Sequence, residues 1–150
     1  MLMRMSESPA RISAVPAVLG WRLLALVYDL VISIAFLFAV SALSLAVKPD
    51  HRPVEPGTPD ALVVFIALWA AIGAYAVVSW RRGGQTIGMR PWRLQVVTAE
   101  GDRPPWRALL IRYMMISFSL GAALLWCLVD GQRRGLHDLA AGTLLVRRQA

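Results

Sequence analysis

Residues 18–47 read VLGWRLLALVYDLVISIAFLFAVSALSLAV, thirty residues in which only Arg22 and Asp29 are charged. A spanning helix needs ~20 mostly apolar residues, within a range of ~17–25. This run is longer, so it predicts a helix that tilts or ends in the interface. A secretory signal has an apolar core of only ~7–15 residues. Ser44-Leu45-Ala46 would be its small-residue cleavage site, but the run is too long and carries two charges. A membrane helix is the better reading.

Two more runs follow. Ala61 to Trp80 is twenty residues without a charge, and Tyr113 to Val129 is seventeen without one, extended by Ala108 to Ile111 beyond Arg112. Buried helices of soluble bundles normally keep a polar face, and Ala61 to Trp80 has none. The fold expected is all-α and transmembrane, with about three embedded helices at 18–47, 61–80 and 108–129. These form one membrane domain over 18–146, between an N-terminal segment 1–17 and a basic tail 147–150.

The chain has 150 residues, is 57% hydrophobic, and has a formal net charge of +7. Its mean hydropathy is +0.56 and its pI is near 11. Such basicity suggests nucleic acid in a soluble domain, but beside long apolar runs it marks cytoplasmic loops. Neither nucleic-acid binding nor a soluble enzyme is expected. Cys127 is alone, so disulfide and CxxC sites are excluded. His51 and His137 lie in different polar segments, so no metal or other cofactor is expected.

Arginine placement predicts orientation. Arg4, Arg11 and Arg22 precede or open the first run, and Arg81, Arg82, Arg90, Arg93, Arg103, Arg107 and Arg112 follow the second. The loop between these runs holds Lys48 and Arg52 with four prolines and three acids. The positive-inside rule puts the N-terminus and the second loop in the cytoplasm. Arg81, Arg82, Arg90 and Arg93 would meet anionic headgroups. Trp21, Trp80, Trp92 and Trp106 fall near the same boundary, where interfacial Trp is expected. The tail conflicts with this scheme, because three crossings put Arg133, Arg134, Arg147 and Arg148 outside. A single crossing by the third run is the expectation; a re-entrant hairpin broken near Gly121 is its competitor. The second loop has strand-like composition at Arg93 to Thr98, enough for a short hairpin. Thr143 to Val146 is another strand candidate, able to pair with the first only if both lie on one side.

Arg22 and Asp29 are seven apart and share a helix face. Arg22 can snorkel to headgroups. Asp29 lies roughly 10 Å further in, at ~1.5 Å per residue, where a carboxylate needs protein or a water-filled cavity. Arg112 should reach a similar depth, so an Arg112–Asp29 pair is predicted, with Arg22 as a second donor. The plainer reading is that such a pair only locks helices together; the functional one makes Asp29 an exchanging carboxylate. His137-Asp138 invites acid–base chemistry, but no nucleophile accompanies it, and Asp138 could instead cap a short helix or pair with Arg133 or Arg134. Gly83-Gly84-Gln85-Thr86-Ile87-Gly88 lacks the Lys-Ser/Thr ending of a P-loop and reads as an interfacial turn. Met114 and Met115 read as lipid-facing or core residues.

Three features in order now form a pattern: Arg22 with Asp29, then Gly84-Gln85-Thr86-Ile87-Gly88-Met89-Arg90 running into Arg93-Leu94-Gln95-Val96-Val97, then Leu136-His137-Asp138-Leu139-Ala140-Ala141-Gly142-Thr143. The chain resembles the RDD family of small bacterial membrane proteins, from about Gly20 to Val146. The resemblance implies that the named arginine and aspartates are Arg22, Asp29 and Asp138. Met89 stands where the family pattern often has Lys, with Arg90 next. It also implies transport of ions or small ligands, without giving a substrate. Cation/proton exchange through Asp29 is the leading expectation, and so small a pathway would need a homo-oligomer. The alternative is a non-transporting scaffold or assembly factor whose charge pairs are structural and whose basic loop binds anionic lipid or a protein partner.

Overall fold

A computed structural model describes residues 14–49, 51–119, 122–131 and 133–148. Along the chain lie β1 (Ala14–Pro16), α1 (Leu19–Val47), α2 (Pro59–Gly83), β2 (Leu94–Thr98), α3 (Trp106–Phe118), a 3-10 segment (Ala122–Leu128), α4 (Leu136–Ala141) and β3 (Thr143–Arg148).

Two helices, α1 and α2, are long and apolar enough to cross a membrane. Their 29 and 25 residues exceed the ~20 that a bilayer core requires. The local sequence fixes where α2 begins and ends. Thr58 caps its start by accepting the Ala61 N–H at 3.3 Å, and Pro59 occupies the first turn, where its missing N–H costs nothing. Gly84 ends it in the left-handed conformation, φ +70°, donating its N–H to the Trp80 carbonyl at 2.8 Å. Arg81 and Arg82 occupy the last turn, where cations complement the helix dipole. At the other end Lys48 and Asp60 pair at 2.8 Å, tying the end of α1 to the start of α2.

The third apolar run is not one long helix. α3 has 13 residues, about 20 Å at ~1.5 Å per residue, short of a hydrocarbon core ~30 Å thick. After Ser119 the chain continues as a 3-10 segment over Ala122–Leu128. Arg112 sits in the middle of α3 and is buried in protein, whereas Leu110, Ile111, Met114 and Phe118 of the same helix are exposed. The break expected near Gly121 lies outside the described residues, as do the first residues of the N-terminal segment.

The all-α expectation is corrected by a three-stranded sheet in the order β1-β3-β2, antiparallel throughout. The second loop supplies one strand rather than a hairpin. Its partner is the C-terminal strand, with Leu94 opposite Arg147 and Thr98 opposite Thr143. β1 pairs the other edge of β3, Pro16 opposite Val146, and Pro16 is tolerated because an edge strand need not donate outward. The sheet gathers the chain before α1, the loop after α2 and the tail at one end of the molecule. Leu94, Val96 and Leu145 from the sheet form the core there with Val77 and Trp80 of α2, Leu109 of α3 and Ala25 of α1.

Candidate functional site

Arg22 lies in the first turns of α1 and is buried, so its donors need acceptors from the protein. Nε donates to the Ala17 carbonyl at 3.0 Å, Nη2 to the Arg133 carbonyl at 2.8 Å, and Nη1 to Asp138 Oδ2 at 2.6 Å. Arg112 approaches the same carboxylate from α3. Its Nη1 donates to Asp138 Oδ1 and, at 2.9 Å, to Thr143 Oγ1. Its guanidinium also lies over the Trp80 ring, 5.3 Å from the centroid. Asp138 is the third residue of α4, and its Oδ2 accepts the Gly135 N–H at 2.9 Å. This carboxylate therefore caps its own helix and neutralises part of the charge from two others. The Asp138 side chain is 0% exposed and both arginine side chains are 2% exposed.

Burial alone raises the Asp138 carboxyl, but the nearby Arg112 and Arg22 guanidiniums together outweigh it and hold the group well below the usual carboxylate range. His137 is pulled down to about 3, first by burial and then by Arg112. Its Nε2 lies 3.7 Å from Asp138 Oδ1. A neutral imidazole at that separation is neither an ion-pair partner nor a hydrogen-bond donor of normal length. Two guanidiniums against one carboxylate leave this buried group with a formal charge of +1.

Asp29 belongs to a different constellation. Oδ1 accepts from the Tyr75 hydroxyl at 3.2 Å and from the Gly88 N–H at 3.0 Å; Oδ2 accepts from the Thr86 hydroxyl at 2.5 Å. Tyr75 Oη in turn accepts the Ile87 N–H at 2.9 Å. The loop after α2 thus folds back onto α1 and grips the carboxylate with neutral donors. Gly88 is required by this approach. A Cβ there would stand 2.5 Å from the Ala25 carbonyl oxygen and 2.7 Å from Asp29 Cγ.

The predicted Arg112–Asp29 pair is therefore corrected, and so is Arg22 as the second donor: both guanidiniums go to Asp138. Arg112 does lie inside the protein, but α4 returns to the sheet end and presents a fully buried carboxylate between the two arginines. Trp80 is corrected as well. It is buried beneath Arg112 rather than at a lipid boundary. Trp21 and Trp92 pack on each other with centroids 5.3 Å apart, and Arg147 lies over Trp21 at 4.2 Å. Arg82, Arg90 and Arg93 are exposed and Arg81 is partly buried.

A cavity of about 210 Å³ joins the two constellations. Arg22, Arg112 and His137 line it at one end, and Asp29, Tyr75 and Thr86 further along. Leu26, Leu30, Ile72 and Ile116 supply apolar walls. It combines a cationic end, a carboxylate and a largely apolar interior, which suits binding or guarded passage of a small ligand better than covalent chemistry. Among the described residues no group of three His, Cys, Asp or Glu side chains is placed to hold a metal.

Sequence reasoning named Arg22, Asp29, Arg112 and Asp138, and all but Asp29 meet in one ion cluster. It missed Tyr75, Thr86, Gly88 and Thr143. Thr86 and Gly88 stood inside the Gly-Gln-Thr-Ile-Gly stretch, whose polar and glycine positions were the available signal. Tyr75 carried none beyond being a hydroxyl in an apolar run.

The RDD family model matches residues 16–142, a span containing every residue of both constellations except Thr143. No curated protein and no solved structure matches the chain.

Proposed function

The chain belongs to the RDD family, and from that premise we propose that it is an integral membrane protein of the bacterial inner membrane whose side cavity binds an ion or small ligand and assists its transport. Asp29 is the exchanging carboxylate. The observation that carries this reading is the setting of Asp29: a partly buried carboxylate held by three neutral donors, lining a cavity whose other end is cationic. An intramembrane carboxylate kept in protein without a locking guanidinium marks a functional position.

In this reading α1 and α2 cross, and α3 re-enters from the sheet end and leaves on the same side. The tail arginines then join those of the second loop on one face, and the positive-inside rule makes that face cytoplasmic. Arg81, Arg82, Arg90 and Arg93 meet anionic headgroups there, each worth ~1 kcal/mol near the surface. Two crossing helices enclose little by themselves, so a transport path requires a homo-oligomer or a membrane partner.

The scaffold reading keeps one specific support. Asp138 ties α1, α3 and α4 together, and such an ion cluster serves architecture. The two readings separate on Asp29. Asp29→Asn in proteoliposomes abolishes cation-dependent proton flux while insertion is unchanged. Wild-type flux from that variant, or no flux from the native protein, favours the scaffold.

A further inference from the structure

A second cavity, of about 240 Å³, opens at the sheet end of α1 and shares no lining residue with the one that Asp29 lines. Its lining includes Val15 and Pro16 of β1, Trp21 of α1, Arg147 of β3 and Arg133 before α4.

Local structure fixes both arginines. Arg147 stands opposite Val15 in the β1–β3 ladder, so the two side chains share a face of the sheet. The Arg147 guanidinium lies over the Trp21 ring, 4.2 Å from its centroid. Stacking uses the flat side of a guanidinium and leaves its in-plane N–H groups to bond. Nε is closed to solvent without a partner among the described residues, so bonds to a ligand fall to Nη1 and Nη2. Arg133 is held through its backbone. It adopts φ +55°, a conformation that residues other than glycine rarely take. Its N–H donates to the Asp130 carbonyl at 2.9 Å, and its own carbonyl accepts from Arg22 Nη2 at 2.8 Å. The Arg133 side chain stays exposed.

Charge decides what such a cavity takes. No carboxylate lines it, and among the described residues none pairs with Arg133 or Arg147. Asp130, beside Gly131, accepts from the Arg134 backbone N–H at 2.8 Å and from Arg134 Nε at 3.1 Å. Two guanidiniums without an anion favour an anionic ligand, and phosphate oxygens accept from several guanidinium N–H groups at once. A zwitterionic headgroup would bring an ammonium for which the cavity lining has no carboxylate.

The surroundings indicate where the phosphate comes from. Trp21 lies in the first turn of α1, at the level where interfacial Trp is expected. Trp21, Leu24 and Tyr28 share one face of that helix, and Leu24 and Tyr28 are 40% and 49% exposed. An acyl chain carried by a phosphate in the cavity therefore has an apolar stripe beside it, running into the membrane. Free phosphate gains nothing from that stripe.

Resting on the reading of the chain as a membrane protein, and not on transport through Asp29, we propose that this cavity holds one phosphate group of an anionic phospholipid between Arg133 and Arg147, with an acyl chain along Trp21, Leu24 and Tyr28. Unlike the exposed headgroup contacts of the second loop, the site binds a single lipid saturably.

The full chain in neutral detergent is titrated with dioleoyl-phosphatidylglycerol or dioleoyl-phosphatidylcholine, and bound lipid is counted by native mass spectrometry. One phosphatidylglycerol binds per chain, about tenfold more tightly than phosphatidylcholine, and an equal concentration of inorganic phosphate leaves it bound. Arg133→Asn combined with Arg147→Gln removes the preference; Asn suits the left-handed backbone at that position. Arg103→Gln combined with Arg107→Gln removes the same charge from exposed positions outside the cavity and keeps the preference. Val15→Glu retains both arginines but sets a carboxylate opposite Arg147, and it too removes the preference. Equal losses in the two double variants, or an undiminished preference in Val15→Glu, overturn the site in favour of diffuse charge. Equal affinity for the two lipids overturns the anionic assignment, and displacement by phosphate overturns the lipid as its source. Any of these results from a chain that resists carbonate extraction from membranes counts against the site alone; a chain that extracts takes the membrane reading with it.

Discussion

Arg22 and Asp138 lie 116 positions apart and meet at 2.6 Å, with neither side chain more than 2% exposed. The same carboxylate takes Arg112, so one buried anion fastens the first helix, the third helix and the C-terminal helix. Removing the shared carboxylate strands both cations. Asp138→Asn nearly preserves volume but leaves two uncompensated guanidiniums, and should lower stability by about 3–5 kcal/mol. Thermal unfolding in a fixed detergent checks this. A loss below ~1 kcal/mol, the scale of an exposed pair, contradicts it.

The coupling should be visible in a double-mutant cycle. Asp138→Leu alone strands both guanidiniums, whereas Arg112→Met alone leaves Arg22 and Asp138 as a balanced buried pair that has lost one of its contacts. Together they remove one cation and one anion, so the double variant should be less destabilised than the sum of the single ones. Strict additivity would mean the contact contributes nothing.

Acid should weaken the fold in two stages. His137 is held to about 3 in the folded protein, against an ordinary histidine value of 6.5. Between these values the unfolded chain binds a proton that the folded one refuses. Stability therefore falls as pH drops from about 6.5, by up to ~1.4 kcal/mol per pH unit from this group. The Asp138 carboxyl is held in the folded protein below the ordinary aspartate value of 3.8. Its contribution is intact above that value and is lost only as pH falls below it. Unfolding temperatures of wild type and His137→Phe between pH 7.5 and 4.5 (an assay range set by the ~6.5 reference for histidine) check the first stage. The variant should have the flatter curve; parallel curves refute the assignment.

Gly88 predicts a link between the loop and Asp29. Its alanine variant puts a Cβ 2.5 Å from the Ala25 carbonyl, so backbone must move and the Gly88 N–H bond to Asp29 is disturbed. Overpacking of this kind costs about 1–3 kcal/mol. Gly88→Ala should lower flux as Asp29→Asn does, whereas Gly57→Ala, where a Cβ meets nothing within 4 Å, should leave flux unchanged despite its backbone strain.

The long helices could be read from the sequence because hydropathy acts locally: α1 and α2 cover the runs that composition marked. β2 and β3 were also visible as short branched-residue segments. Their pairing was legible only as a condition, that both lie on one side, since it depends on where the chain returns after α3. The three-residue β1 carried too little pattern. The same non-local return hid the partner of Arg112. Depth along a helix gave Asp29, whereas the fold delivers Asp138 from a helix of only six residues. Gly88 and Thr86 read as a turn, and they are one; that the turn closes on Asp29 follows only from the approach of the loop to α1. The tail arginines, which contradicted three crossings, are consistent with a sheet that brings the tail back beside the second loop.

The account divides the charges: Arg22, Arg112 and Asp138 hold the fold, and Asp29 serves the cavity. The most direct measurement compares Asp29→Asn and Asp138→Asn side by side, each for unfolding temperature in detergent and for cation-dependent proton flux in proteoliposomes, normalised to inserted protein. Asp29→Asn should stay folded and lose flux, and Asp138→Asn should lose stability first. Wild-type flux from folded Asp29→Asn, or an Asp138→Asn variant as stable as wild type, would contradict it.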